Sequence, residues 1–297
     1  MQVFRHIPTS LQLPCAVAIG NFDGMHLGHQ ALLEKLTQTA KSLKLSAAVM
    51  TFEPHPREFF APESAPARLC SLREKLEHFA EAGVERVYVC RFNRRFAKLT
   101  ADEFMYDILR NALNTEVVLV GEDFRFGAMR SGSIVDFVAA GFNLVSLPQV
   151  RLDNVRVSST RVRSALAAGD LNQATLLLGR PYSMSGKVVH GAKRGRQIGF
   201  PTANVHMRHE RPALTGVYAV KLDGLNAVAN LGMRPTIAGS QKLSLEVHVL
   251  DFNQDLYGKH VHVEFLHKIR DEMKFESLDA LKTQIAADVK VARDLFV

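Results

Sequence analysis

Apolar and polar positions change their spacing along this chain. From residue 1 to about residue 180, short apolar runs alternate with segments whose apolar residues recur every three or four positions. The runs are Cys15 to Ile19, Leu45 to Phe52, Arg86 to Phe92, Glu116 to Val120 and Asn143 to Leu147, and they predict buried strands. Between them, Leu33, Leu36, Ala40 and Leu43 share a helical face; so do Leu72, Leu76, Phe79 and Ala80, and then Phe104, Ile108, Ala112 and Leu113. Two of these helices open with Ser/Thr-x-x-Glu, at Ser71 to Glu74 and Thr100 to Glu103, where side chain and backbone can cap each other. Ser133 to Ala140 reads as a further helix. Strands alternating with helices predict a Rossmann-like parallel sheet covered by helices.

After Gly179-Arg180-Pro181 the pattern is different. Thr215 to Leu222, Asn226 to Asn230, Leu243 to Phe252 and His260 to Leu266 are strand-like and follow one another without helices. Leu243, Leu245, Val247 and Val249 alternate with Ser244, Glu246 and His248, the period of a strand with one buried face. Such a series predicts an antiparallel β-barrel. Ser277 to Phe296 closes the chain as an amphipathic helix carrying Leu278, Leu281, Ile285, Val289, Ala292 and Phe296 on one side. The pattern therefore places a boundary near residue 182, with an α/β domain at 1–182 and a barrel domain with its terminal helix at 183–297.

Composition narrows this little. A hydrophobic fraction of 47% and a charged fraction of 23% suit an ordinary globular protein with two cores. Cys15, Cys70 and Cys90 are too few and too scattered for a disulfide framework or a zinc site, and are expected to be free thiols. No secretory signal pattern opens the chain and no apolar run reaches membrane length, so a cytoplasmic protein without a membrane partner is expected. The net charge of +7 comes from dispersed residues, without a long basic run or an RNA-binding aromatic signature. Anionic small molecules account for it better than nucleic acid. Oligomeric state is not fixed by the sequence, which leaves room for a weak homo-oligomer.

The first chemistry-bearing segment is Gly20-Asn21-Phe22-Asp23-Gly24-Met25-His26-Leu27-Gly28-His29. It joins a strand-like run to a helical segment. There, two imidazoles stand beside the N–H groups of a helix start, a place for phosphate oxygens. His-x-x-His alone also suits a metal or a plain helix start; the Asn-Phe-Asp-Gly turn before it favours nucleotidyl transfer, with attack on a nucleotide α-phosphate. Gly20, Phe22, Asp23, Gly24 and Gly28 are the candidate nucleotide contacts around His26 and His29. Transfer to an acceptor that is already a phosphate needs in-line positioning and charge neutralisation, not a protein nucleophile. Ser158-Ser159-Thr160-Arg161-Val162-Arg163 holds more hydroxyls than a helix N-cap requires. With Arg163 it reads as a second phosphate clamp, expected to face the histidines across a crevice. Two further turns end strand-like runs, and they offer Phe52, His55 and Pro56, and Asp123, Phe124 and Phe126, as contacts for an aromatic ligand.

The barrel half has its own set. Gly186, Lys187, Gly191, Arg194 and Gly195 suit a loop that wraps phosphates through backbone amides, although no Gly-x-x-x-x-Gly-Lys-Ser/Thr occurs. Thr202 and Asn204 are hard oxygen donors of the kind that share Mg²⁺ with nucleotide phosphates. Glu246, on the polar face of its strand, is either a solvated carboxylate or the base that a hydroxyl acceptor needs.

These motifs together resemble the bacterial bifunctional riboflavin kinase/FAD synthetase family over essentially the whole chain. Gly-Asn-Phe-Asp-Gly-x-His-x-Gly-His, Thr-Phe-x-Pro-His-Pro, Gly-x-Asp-Phe-x-Phe-Gly and Ser-Ser-Thr-x-x-Arg look like its FMN adenylyltransferase module. Gly-Phe-Pro-Thr-Ala-Asn, Gly-Val-Tyr-Ala-Val, Asn-Leu-Gly-x-Arg-Pro-Thr and Leu-Glu-Val-His look like its kinase module. Met25 stands where valine is usual. The resemblance implies that ATP phosphorylates riboflavin to FMN and that a second ATP adenylylates FMN to FAD, with Mg²⁺ serving both. It implies that His26, His29, Ser159 and Arg163 handle ATP in the first domain, that Thr202 and Asn204 hold the metal and that Glu246 is the kinase base. The competing readings are a single-function nucleotidylyltransferase with the barrel as a binding module, and an RNA-associated protein; the latter would need a Lys-Met-Ser-Lys-Ser motif that the chain lacks.

Overall fold

A computed structural model describes residues 1–10, 12–191, 199–207, 211–235 and 241–296. Contacts divide it into two compact units: Met1–Pro66 with Leu72–Ser158, and Ala67–Ser71 with Ser159–Val297.

In the first unit, β1 (Gln2–Phe4), β2 (Cys15–Ile19), β3 (Ser46–Glu53), β4 (Arg86–Arg91) and β5 (Thr115–Gly121) are joined by a later strand, after the short hairpin of β6 (Arg125–Phe126) and β7 (Gly132–Ser133). That strand is β8 (Asn143–Leu147), and the order β1-β4-β3-β2-β5-β8 is parallel throughout. All five residues of β2 are buried because both faces of the sheet are covered. Cys15, Val17 and Ile19 point into one cluster, with Phe104, Met105, Ile108 and Leu109 of the π-helix Glu103–Ala112. Ala16 and Ala18 point into the other, with Leu32, Leu33, Leu36 and Ala40 of α1 (Leu27–Leu43). Phe79 of α3 (Leu72–Glu81) joins that second cluster; α2 (Pro56–Phe60) precedes α3, while α4 (Arg94–Ala97) and α5 (Ile134–Ala139) follow it. The Thr100 capping box forms as read: Thr100 N–H donates to Glu103 Oε2 at 2.7 Å, and Glu103 N–H to Thr100 Oγ1 at 3.1 Å. Ser133 and Asp136 form another that the sequence reading did not single out.

The chain runs from β2 outward through β3 to β4, then returns to lay β5 on the other side of β2. The order thus reverses at β2, and a crevice opens beyond the carboxyl ends of β2 and β5. The His-x-Gly-His segment follows β2 and the Gly121–Gly127 turn follows β5, so topology brings both to the same end of the sheet.

The second unit begins with α6 (Ser159–Ala167) and α7 (Leu171–Leu178). After the two-stranded β9 (Arg151–Leu152) and β10 (Val155–Arg156) of the first unit, the remaining strands close a barrel: β11 (Tyr182–Val189), β12 (Ala203–His206), β13 (Gly216–Leu222), β14 (Leu225–Pro235), β15 (Gln241–Val249) and β16 (His260–Arg270), in the order β11-β12-β15-β14-β13-β16 with antiparallel pairs. Tyr218 and Phe265 meet edge-on inside it with ring centroids 5.3 Å apart, and Tyr218 Oη donates to the Thr215 carbonyl at 2.7 Å. Val217, Ala219 and Val228 pack outward beneath Val289, Ala292 and Phe296 of the terminal helix α8 (Leu278–Leu295) and its C-cap. Arg270 of β16 fastens that helix, giving Nε and a terminal nitrogen to the Asp288 carboxylate at 2.8–3.1 Å. The three cysteines are free and buried.

The sequence pattern divides the chain at 182, whereas contacts assign α6 and α7 to the barrel unit. Leu171, Ala174, Leu177 and Leu178 of α7 are buried, and α7 packs on β11 and β16. A fragment of residues 159–297 is therefore expected to melt above a fragment of 183–297. Losing the burial of two such leucines against β11 and β16 costs about 3–6 kcal/mol, which corresponds to a shift on the order of 10 °C in a domain of this size. Equal melting temperatures would mean that the two helices contribute nothing to the barrel.

Candidate active sites

In the first unit the turn after β2 is tied to the sheet from both ends. Gly20 N–H donates to the Met50 carbonyl at 3.1 Å, and Thr51 Oγ1 donates to the Asn21 carbonyl at 3.3 Å. The chain then passes through positive φ at Phe22 (50°), Gly24 (84°) and Met25 (46°), which coils it back toward the start of α1. Gln30 Nε2 donates to the Met25 carbonyl at 2.8 Å and holds that coil. His26 caps α1 with its backbone, its carbonyl accepting from His29 N–H at 2.8 Å and Gln30 N–H at 3.1 Å. The His26 and His29 rings stack with centroids 3.7 Å apart. Gly28 makes room for this: a β-carbon there would lie 3.2 Å from Cε1 and Nδ1 of His26.

Phe22 sits against His29 at 5.2 Å and edge-on to Phe79 of α3 at 5.1 Å, which fixes the ring from the other side. Asp23 is buried. Part of His29 reaches the surface, but its Nδ1 is shut off from solvent and has no hydrogen-bond partner among the described residues; the same holds for Asn21 Oδ1. Desolvation holds the His29 pKa well below the ordinary imidazole value, helped by the charges of His26 and Lys75. A neutral imidazole donates one hydrogen bond and carries no charge.

The candidate aromatic contacts divide. Phe52 and Phe126 are 9% and 6% exposed and belong to the core. Phe52 packs edge-on to Phe92, and Phe126 stacks on Phe137 at 4.3 Å. Phe124 is half-buried, stacked on Phe126 at 5.9 Å. Asp123 pairs with Arg156 at 2.6 Å. His55 caps α2, its Nδ1 accepting from Arg57 N–H, and Pro56 is the first residue of that helix. The open aromatic surface is one that sequence reasoning missed: Phe60 is 67% exposed and lies against Phe59 and Phe92.

In the second unit, Ser159 and Thr160 open α6, while Ser158 is the last residue of the first unit. Arg163 Nε donates to the Ala67 carbonyl at 2.5 Å, which ties α6 to the buried segment around Leu69 and Cys70. Gly186 and Lys187 are not in a phosphate-wrapping loop; they are ladder residues of β11, opposite Val261 and His260. Their position in the ladder follows from the alternation of Tyr182, Met184 and Val188 with Ser183 and Lys187. Gly191 lies beyond the strand, and a β-carbon there would overlap the Asn204 side chain. Arg194 and Gly195 lie outside the described residues.

Barrel closure brings Asn204 and Glu246 together. They are directly opposite in the β12–β15 ladder, and Asn230 of β14 is opposite Glu246 on the other side. Ser244 Oγ donates to Glu246 Oε1 at 3.4 Å. Leu245 and Val247 are fully buried, so the carboxylate faces away from the apolar interior as its alternation predicts. His248 contacts the Pro201 carbonyl through Nδ1 at 2.8 Å and meets Phe200 edge-on, which anchors the approach to Thr202.

Beside Thr202 lies a cavity of about 460 Å³, walled by Val188, Val247 and Val249 and by the segment Phe252 to Tyr257. His190 and Tyr257 face each other there at 3.9 Å. Arg293 of α8 grips Asp251, the residue that leads into this wall, with two hydrogen bonds of 2.7 Å; these hold the Asp251 carboxyl below the usual carboxylate range. No motif flagged this wall in the sequence.

A family model described as FAD synthetase matches residues 9–161, and one described as riboflavin kinase matches residues 178–296. The chain is 48% identical over 308 aligned residues to the bifunctional riboflavin kinase/FMN adenylyltransferase of Escherichia coli strain K12, covering 100% of this chain and 98% of that one. It is 49% identical over 290 residues to the protein of the same description from Pseudomonas fluorescens, covering 95% and 93%. A solved structure described as a macrolide-efflux protein from Streptococcus pneumoniae is similar with a TM-score of 0.82 and 34% identity, over 98% of this chain and 99% of that one. Among the described residues here, no helix is long and apolar enough to cross a membrane.

The depressed His29 gives a pH signature. Its folded pKa lies below the unfolded value of about 6.5, so the unfolded chain binds a proton that the folded chain refuses. The stability tied to this group is complete above about pH 6.5 and is lost as pH falls through that value toward the folded pKa. His29→Gln cannot titrate and is expected to lose less stability than wild type between about pH 7.5 and 5.5. Urea midpoints across that range test this, and equal losses would contradict a depressed His29.

Proposed function

The chain belongs to the bifunctional riboflavin kinase/FMN adenylyltransferase family, and we propose that its two reactions divide between residues 183–297 for the kinase and residues 1–182 for the adenylyltransferase. It phosphorylates riboflavin to FMN with ATP, then transfers the adenylyl group of ATP to FMN, releasing pyrophosphate and forming FAD. The observation that best supports this division is that the two halves hold chemically different polar clusters: stacked imidazoles at a switch point in one, a carboxylate opposite an amide in the other.

In the kinase step the ribityl 5′-hydroxyl of riboflavin attacks the γ-phosphorus, the bond to the ADP oxygen breaks, and the hydroxyl proton must leave. Glu246 is the group that accepts it. The cavity beside Thr202, walled by valines and by the Phe252 to Tyr257 segment, takes the adenosine. The hydroxyl of Thr202 and the amide oxygen of Asn204, at the start of β12, are hard oxygen donors; the pair fits Mg²⁺ and would hold it, which leaves the Glu246 carboxylate opposite Asn204 free to act as the base. Bound there, the ion supplies charge neutralisation among the phosphate oxygens.

The adenylyl step needs no base, because the FMN phosphate is already an anion. One of its oxygens attacks the α-phosphorus and pyrophosphate leaves. His26 and His29 donate hydrogen bonds to phosphate oxygens, and the amides of Gly20, Phe22, Asp23, Gly24 and Gly28 and the α1 terminus support them; Ser158, Ser159, Thr160 and Arg163 are assigned to the same nucleotide by their sequence motif alone. The flavin lies among His55, Pro56, Asp123 and Phe124, with Phe52 and Phe126 beneath it and Phe60 at its edge. Substrates are ATP, riboflavin and FMN, and we place the enzyme in the cytoplasm, where its thiols stay reduced.

Two substitutions separate the reactions. Glu246→Gln keeps size and hydrogen bonding but removes basicity, so riboflavin phosphorylation should slow by roughly 10²- to 10⁴-fold while FAD formation from supplied FMN continues. Near-normal kinase turnover would make Glu246 a solvated carboxylate. His29→Ala should lower FAD formation by about 10²-fold or more and leave riboflavin phosphorylation nearly unchanged; equal loss of both activities would contradict independent sites.

A further inference from the structure

A lysine is rarely found fully inside a protein unless it is paired, since stripping water from an ammonium is costly. Lys75 of α3 is 2% exposed, and among the described residues it has no hydrogen bond and no ion pair; its Nζ is not shut off from solvent, so the little surface it keeps includes the ammonium. Its position is set by its helix. Phe79, four residues on, packs edge-on against Phe22 of the His-x-Gly-His turn, and Leu72 and Leu76 pack into the cluster that contains Phe22 and Met25. Spacings of three from Leu72 and four to Phe79 put Lys75 on the same face of α3. Its charge reaches His29, whose basicity it helps to depress. The turn it faces also holds two shielded atoms without hydrogen-bond partners among the described residues, His29 Nδ1 and Asn21 Oδ1.

The chemistry of the site leaves a place for this cation. Adenylyl transfer builds negative charge on the oxygens around the α-phosphorus and then on the departing pyrophosphate. His29, held neutral, supplies a hydrogen bond and no charge, and the first turn of α1 adds only the partial charge of its amides. A buried lysine without a carboxylate is stable where an anion will cover it.

We propose that Lys75 is a phosphate-binding residue of the adenylyl-transfer site, its ammonium taking oxygens of the β- and γ-phosphates of ATP and stabilising the pyrophosphate as it leaves. Lys75 forms and breaks no covalent bond. The proposal rests on the reading of the first site given above.

Full-length wild type, Lys75→Met and Lys75→Arg decide it. FAD formation from FMN and ATP is measured beside calorimetric binding of pyrophosphate and of AMP, and beside the NMR titration of His29. Lys75→Met removes the charge at similar length and is expected to lower FAD formation about 10²- to 10³-fold. It should weaken pyrophosphate binding far more than AMP binding and raise the His29 titration midpoint. Lys75→Arg should recover part of the activity. The melting temperature and riboflavin phosphorylation of the Met variant should not fall. FAD formation near the wild-type rate in Lys75→Met would overturn the role, as would equal weakening of AMP and pyrophosphate with a lowered melting temperature, which is the behaviour of a structural residue. A wild type that makes no FAD would overturn the reading of the site itself, and the role with it.

Discussion

The first unit depends on the burial of β2 between two layers. A strand of five wholly buried residues has no solvent face, so its odd and even positions must each find a core. Cys15, Val17 and Ile19 take one and Ala16 and Ala18 the other, the small alanines letting α1 come close. With helices on both faces, β3 and β5 must lie on opposite sides of β2, and the order of strands reverses there. A crevice at that point is a consequence of topology. The chain leaves β2 straight into it, and the coil through Phe22, Gly24 and Met25 turns the exit into a cradle whose floor is the start of α1.

The barrel solves a different problem. An antiparallel ladder places residues of distant strands opposite one another, and closure leaves no free edge. That is how Asn204 of a four-residue strand meets Glu246 of a nine-residue one, with Asn230 beyond. The apolar positions on either side of Glu246 are fully buried, which fixes the register: a slip by one residue would bury the carboxylate and expose Leu245 and Val247. The terminal helix then covers the outer face of β13 and β14, held by the Arg270–Asp288 fork.

Much of this was legible in the sequence, for reasons that differ by element. The β2 run, the faces of α1 and α3 and the alternation of β15 are periodic, and periodicity survives without knowledge of neighbours. β1 and β12, of three and four residues, are too short to show a period, and β11 hid its alternation behind a Ser- and Gly-rich stretch that reads equally well as a phosphate loop. The histidine pair and the Thr202–Asn204 motif stand out in the sequence because each is a short run of near neighbours. The aromatic contacts were not separable: Phe52 and Phe126 are core, Phe124 half-buried and Phe60 open, a division made by tertiary packing alone. Lys75 did leave a signal, a cation on the apolar stripe of an amphipathic helix, which pattern reading passes over when it counts only the apolar positions.

The two reactions differ in one respect that the two clusters reflect. An alcohol must lose a proton to attack phosphorus, and the barrel carries the carboxylate we propose as its base; a phosphate has none to lose, and the first unit carries a stacked imidazole pair beside a helix start. If the sites work independently, each can be disabled without the other. Mixing Glu246→Gln protein with His29→Ala protein, supplying riboflavin, ATP and Mg²⁺, and resolving the flavins chromatographically tests this most directly. The mixture should convert riboflavin through FMN to FAD although neither variant does so alone; a mixture that stalls at riboflavin or at FMN would contradict two self-sufficient sites.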